Sequence, residues 1–304
     1  MRSDLVLGSV APSGAWVIVR SVRALNIAVP EDLFKRWLGW FAPDPQPFLA
    51  DAELAALKRE RTGGLPLDAE LRDTYGLYEL PGAVRLVWFS EAQFMALPKP
   101  GRSALVQAQR TFHRELVPSV RSWRFLIGQT IRQQADGHRF VWWRSLLDGC
   151  ARRILRDYIE EGRRPSRHDE VPAQVWDSAT QILPGARRLA GTFAGGSGPN
   201  CFGTVMAAAG VNGADTVWMQ RGPFERWLSE MTRPGGDDAH AGTVLVWRSP
   251  DGLVQHAAVT IGEGWVLHKP SQGWMSPNKI LTSHEAKLSA RSFGRRLSRH
   301  RLRA

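Results

Sequence analysis

The stretch that decides the fold is DAHAGTVLVWRSPDGLVQHAAVTIGEGWVLHKP, Asp238 to Pro270. It holds three β-branched, apolar runs: Thr243–Trp247, His256–Ile261 and Trp265–His268. Turn chemistry separates them, with Pro250-Asp251-Gly252 after the first and Gly262-Glu263-Gly264 after the second. Short runs between tight turns predict an antiparallel meander. A meander brings the ends of neighbouring strands to one edge. His256 opens the second run and His268 closes the third, so both are expected near the same edge of the sheet.

Upstream lies GGSGPNCFGTVMAAAG, Gly195 to Gly210. A glycine-rich run leads through Pro199-Asn200 to Cys201 and then to a small, apolar, helix-like run. Cysteine attacks only as thiolate, and a helix start favours that anion through its dipole and free N–H groups. The same N–H groups suit the oxyanion of a tetrahedral intermediate. With two histidines at a nearby sheet edge, one imidazole can contact the thiol while the other orients it. The spacing therefore predicts a histidine ring within hydrogen-bond reach of the Cys201 sulfur and a lowered thiol pKa.

These residues resemble the NlpC/P60 papain-like cysteine peptidase domain. In that family an Asp-Cys-Ser-Gly start leads into an apolar residue and Val, and NCFGTV keeps the Cys, the Gly and the Val. GTVLVW is similar to the family's next strand, and HAAVTIGEGWVLH to the His-led strand and the pair ending in His. The resemblance covers Gly195 to Lys279. It implies Cys201 as nucleophile, His256 as general base and His268 as the residue orienting His256. Asn200 stands where the family has an acid, and Phe202 where it has Ser or Thr. With Trp265, these two are expected to line the substrate cleft. The implied substrate is peptide-like or an acyl amide, cleaved by hydrolysis or passed to an acceptor by acyl transfer. The contrasting class is a degenerate domain serving as a polyanion-binding module.

The chain has 304 residues and a formal net charge of +11. That length suffices for two domains. Much of the charge sits in ARSFGRRLSRHRLRA, which holds Arg291, Arg295, Arg296, Arg299, Arg301 and Arg303 and no acid. Such a segment reads as a solvated basic tail or as a contact for an anionic polymer or membrane surface. The two cysteines, Cys150 and Cys201, make no disulfide framework and match no zinc spacing. Leu5 to Val19 is broken by Gly8, Pro12 and Gly14, so no export signal or membrane span is read and a cytoplasmic site is expected. His240 beside Asp237 and Asp238 reads as a solvated turn. GGSG lacks the Lys-Ser/Thr of a phosphate loop, and no cofactor or metal is expected.

Before Gly195 the pattern is mainly helical. PEDLFKRWLGWF places Leu33, Phe34, Trp37, Leu38 and Phe41 on one helical face. AWVIVRSV and GAVRLVWFS read as strands, DAELAALKRER as a helix, and Ser90 to Gln93 as a capping box. RSALVQAQRTFHREL, SVRSWRFLIGQTIRQQ and RFVWWRSLLDGCARRILRDYIEEG read as helices, with Cys150 a buried thiol inside the last. Glu160 to Pro172 is the expected linker. The expectation is thus an α+β chain: a mainly helical region over 1–185, a papain-like domain over 186–288 with the Cys201 helix on an antiparallel sheet, and a basic tail over 289–304.

Overall fold

The structure is a computed structural model describing residues 22–57, 67–79, 82, 84–124, 128, 131 and 137–303. AWVIVRSV lies outside the described residues except for Val22, as does the Leu5 to Val19 stretch. The chain is a mixture of helix and sheet, as expected.

The first part holds more strand than its sequence suggests. β1 (Val22–Ala24) and β2 (Ile27–Val29) form one small antiparallel pair. β3 (Gln46–Ala50) and β4 (Arg85–Phe89) form another. Between and around them run α1 (Glu31–Phe41), α2 (Ala52–Ala55), α3 (Ala69–Tyr75), α4 (Glu91–Ala96), α5 (Lys99–Thr111) and α6 (Ala151–Glu160). α1 starts after Pro30 with Glu31 and Asp32 in its first turn, where acids suit the helix dipole. Its Leu33, Phe34, Trp37 and Phe41 are buried at helical spacing. The Ser90 capping box forms as read, with both reciprocal bonds to Gln93.

The stretch from Arg139 differs from the expected single helix. Phe140, Val141, Trp142 and Trp143 run extended and fully buried. A helix would turn part of this apolar run to solvent; the extended chain packs all four side chains. A 3-10 turn, Arg144–Leu147, follows, and Gly149 takes a φ of 70°. That left-handed residue stops continuous helix, so α6 begins only after Cys150. The Cys150 thiol is accordingly half-buried at the helix cap, donating to the Leu146 carbonyl at 3.4 Å, and not sealed in a helix interior.

The second part is built on a six-stranded antiparallel sheet in the order β5-β10-β6-β7-β8-β9. Its strands are β5 (Thr232–Pro234), β6 (Ala241–Arg248), β7 (Val254–Gly262), β8 (Trp265–His268), β9 (Lys279–Thr282) and β10 (Arg296–Leu302). The expected meander is β6-β7-β8. Its helices are α7 (Ala173–Ile182), α8 (Ala186–Leu189), α9 (Cys201–Ala208), α10 (Arg221–Met231) and α11 (Ser283–Ala290).

The sheet has two apolar faces. One packs Val244, Val246, Ala257, Val259, Ile261, Leu267 and Ile280 with α7, α9 and α10. The other packs Leu245, Trp247, Ala258, Val266 and Leu281 with Ala286 and Ala290 of α11. This is the period-2 alternation of strands buried on both sides.

The segment read as a basic tail is β10, an internal strand paired on both flanks. Its backbone bonds to β5 and β6 hold it, and Arg299 pairs with Asp238 at 3.0 Å. The segment read as a linker is fixed too. Ser166 N donates to Leu25 O and Arg167 N to Ile280 O, each at 2.8 Å. The Arg167 guanidinium grips Glu285, whose carboxyl also closes a capping box with Thr282 at the start of α11. Trp274, from the loop between β8 and β9, enters the first part's core beside Trp37 and Trp40 and donates from Nε1 to Thr74 Oγ1 at 2.8 Å. Among the described residues no helix is long and apolar enough to cross a membrane.

Candidate active site

Asn200 is the N-cap of α9; its side chain accepts from Gly203 N at 3.1 Å and donates to Met219 O at 2.8 Å. It therefore builds the helix start that carries Cys201. Gly203 is required by packing: a Cβ there would lie 2.1 Å from Ala214 O. All eight residues of α9 are buried, and its small side chains bring the helix down onto β7.

Cys201 is 8% exposed. Backbone dipoles of Ala257, Phe202 and Cys201 itself, and the Lys269 cation, favour its thiolate. Burial still outweighs them and pushes the thiol up to about 11. This reverses the lowered pKa expected of a helix start. Loss of water costs a thiolate more than a few N–H dipoles return.

The two histidines meet as expected. His256 Nε2 and His268 Nε2 are 2.9 Å apart, with ring centroids at 4.9 Å. Burial holds both neutral, His256 down to about 4 and His268 well below its ordinary value. His268 Nδ1 is enclosed and has no hydrogen-bond partner among the described residues. A His256 that accepts a proton at Nδ1 must therefore carry its own hydrogen on Nε2 and donate it to His268.

The sulfur and the rings are not joined by a hydrogen bond. Alternation along β7 explains why. Ala257 packs on the α9 face with Cys201, while the His256 ring rests on Trp247, which belongs to the α11 face. Thiol and imidazole thus reach adjacent residues of β7 from opposite faces of the sheet.

The α9 face supplies a different partner. Lys269 follows His268 and is 1% exposed; its Nζ donates to the Ser276 carbonyl. Burial lowers its pKa to about 8, with Cys201 and Asp73 opposing the shift. Asp73 comes from α3, and burial raises its carboxyl against bonds from Ser197 and Gln272. Sequence reasoning missed Lys269 because a lysine at a strand end usually reads as a solvated edge residue. Its signal was the parity it shares with Leu267. Beside it, a cavity of about 420 Å³ opens between the two parts of the chain, walled by Asp73, Glu115, Arg163, Ser271, Trp274 and Ser276.

Phe202 and Trp265 are placed elsewhere than the cleft. Phe202 is 8% exposed and stacks on Phe224 with centroids 4.5 Å apart, inside the core. Trp265 opens β8 while His268 closes it, so the two stand at opposite ends of that strand. His240 sits on a turn, bonded to Asp237 at 2.8 Å, and no group of metal-ligating residues occurs among the described residues.

Comparison with family models, curated proteins and solved structures finds no match to this chain.

Proposed function

We propose that this chain performs thiol-dependent acyl chemistry at Cys201 in a papain-like domain of NlpC/P60 type. The sulfur attacks the carbonyl of an amide or ester, and its proton passes to a base; the resemblance gives that role to His256, whose ring meets β7 from the face opposite the thiol. The carbon–nitrogen or carbon–oxygen bond then breaks, and the leaving group takes up that proton. Water releases the acyl group, which makes the chain a hydrolase; an amine or alcohol acceptor in its place makes it an acyltransferase.

The supporting observation is the placement of the thiol: Cys201 opens α9 against β7, with the Lys269 cation acting on it and the His256–His268 pair at the adjacent residue of β7. A second reading is favoured by the sheet faces. Lys269 shares the thiol's face and His256 does not, so Lys269 is the base in that reading, as lysine serves in some nucleophile pairs.

An activated aryl ester tests both. The expected result is a phenolate burst and an acyl mass on the Cys201 peptide, absent in Cys201→Ser. Loss in His256→Ala with retention in Lys269→Met supports the first base, and the converse supports the second. Acylation confined to Cys150, or none, overturns the reading.

A further inference from the structure

We propose that the tip formed by the 291–295 loop and the neighbouring 249–253 turn docks on an anionic lipid bilayer surface. Phe293 is wholly exposed, at 105%. Leu253 on the neighbouring turn is 40% exposed, and Leu288 on the last turns of α11 is 41% exposed. The two loops touch, since a Cβ on Gly294 would lie 3.2 Å from Pro250 Cγ. Large apolar side chains are thus exposed on two touching loops and on the helix that leads into one of them, where water gains nothing from them.

Arginines flank Phe293 along the chain. Arg291, Arg295 and Arg296 are exposed and have no ion-pair partner among the described residues. Arg296 also stands directly opposite Arg248 across the β10–β6 pairing. Like charges in that position destabilise a sheet. Arg248 has Glu225 at 3.3 Å to offset it, and Arg296 has nothing comparable. Asp251 is the one carboxylate in either loop, and it is turned into its own turn by bonds from Ser249 and Leu253.

An aromatic tip flanked by unpaired arginines fits the membrane interface. The ring enters the acyl boundary while the guanidinium groups meet lipid phosphates. Single-stranded nucleic acid shares the phosphate chemistry, but it binds through stacking on π faces. Leu253 and Leu288 have no π face to offer a base, and both partition readily into hydrocarbon. Charge and apolar surface together therefore select the bilayer.

The test is co-sedimentation of the full chain with phosphatidylcholine vesicles, with and without phosphatidylglycerol. Binding is expected only with phosphatidylglycerol. Each of Arg295→Gln and Arg296→Gln should weaken it about fivefold. Phe293→Ser should weaken it further and remove the part that survives high salt, while Arg187→Gln on a distant exposed helix should leave it unchanged. At neutral pH the Phe293, Arg295 and Arg187 variants should melt with the wild type, and Arg296→Gln should melt at or slightly above it because it loses the repulsion from Arg248. Absence of binding, or equal binding by Phe293→Ser and the arginine variants, overturns the proposal. So does tighter binding to a single-stranded oligonucleotide that is lost in Phe293→Ser. None of these readouts depends on Cys201 chemistry.

Discussion

His256 and His268 face each other through their Nε2 atoms at 2.9 Å, so only one of those nitrogens bears a hydrogen. A proton added to the acceptor removes the bond and leaves two facing donors in a buried site. Such a pair resists acid until the fold gives way.

The sign of the pH dependence follows. An unfolded imidazole gains its proton near pH 6.5, and folded His256 only near 4. Stability should fall as pH drops through that window, by on the order of 3 kcal/mol for His256. Urea unfolding at a series of pH values would show the slope, and His256→Gln should flatten it. Arg295→Gln should flatten it slightly, because Arg295 is the charged neighbour that adds to the depression.

The thiols should label in an unexpected order. Cys150 is half-buried at a helix cap, whereas Cys201 is 8% exposed with its thiol up at about 11. Iodoacetamide at neutral pH should mark Cys150 first, as read by peptide mass. Cys201 should gain reactivity only as pH climbs toward its own pKa. An unfolded thiol ionises near 9, so this group's contribution to stability should be lost as pH rises from there through about 11.

Lys269→Met should raise stability at neutral pH. The folded chain keeps a buried ammonium whose one hydrogen bond among the described residues runs to a carbonyl, and burial of that charge is costly. Unfolded lysine holds its proton up to about 10.5 and Lys269 only to about 8, so wild-type stability should climb with pH across that interval. The methionine variant should lack that climb in denaturant titrations. Its Cys201 should also alkylate more slowly, having lost its nearby cation.

Phe202→Ala should cost about 3–5 kcal/mol by thermal or urea unfolding. Its ring stacks on Phe224 in a closed core, so the loss leaves a cavity. Phe202→Leu should cost much less. Near-neutral stability in Phe202→Ala would show that the ring is not held in that core.

What the sequence disclosed was what short-range chemistry writes. Trp265–His268 is a strand with the bounds its apolar run implies, and the Cys201 helix starts where Asn200 can cap it. What stayed hidden depends on partners distant in the chain. RLSRHRL has the composition of a solvated tail, and only pairing with β5 and β6 makes it a strand. Spacing put His256 near Cys201 but did not say from which face each meets β7. That is set by where α9 and α11 pack. Cys150 was misplaced because helical spacing looked continuous across Gly149, whose left-handed backbone interrupts it.

The internal position of β10 bears on how the molecule assembles. β6 and β7 can join as soon as both have left the ribosome. β5 cannot, because its partner is synthesised only after every other strand of the sheet. Until then β6 presents a free apolar edge, which invites pairing with other chains. The arginines of β10 then take on a different meaning: once that strand has emerged, its charge sets it against the same strand of another copy, so that the waiting edge is closed by the chain's own segment.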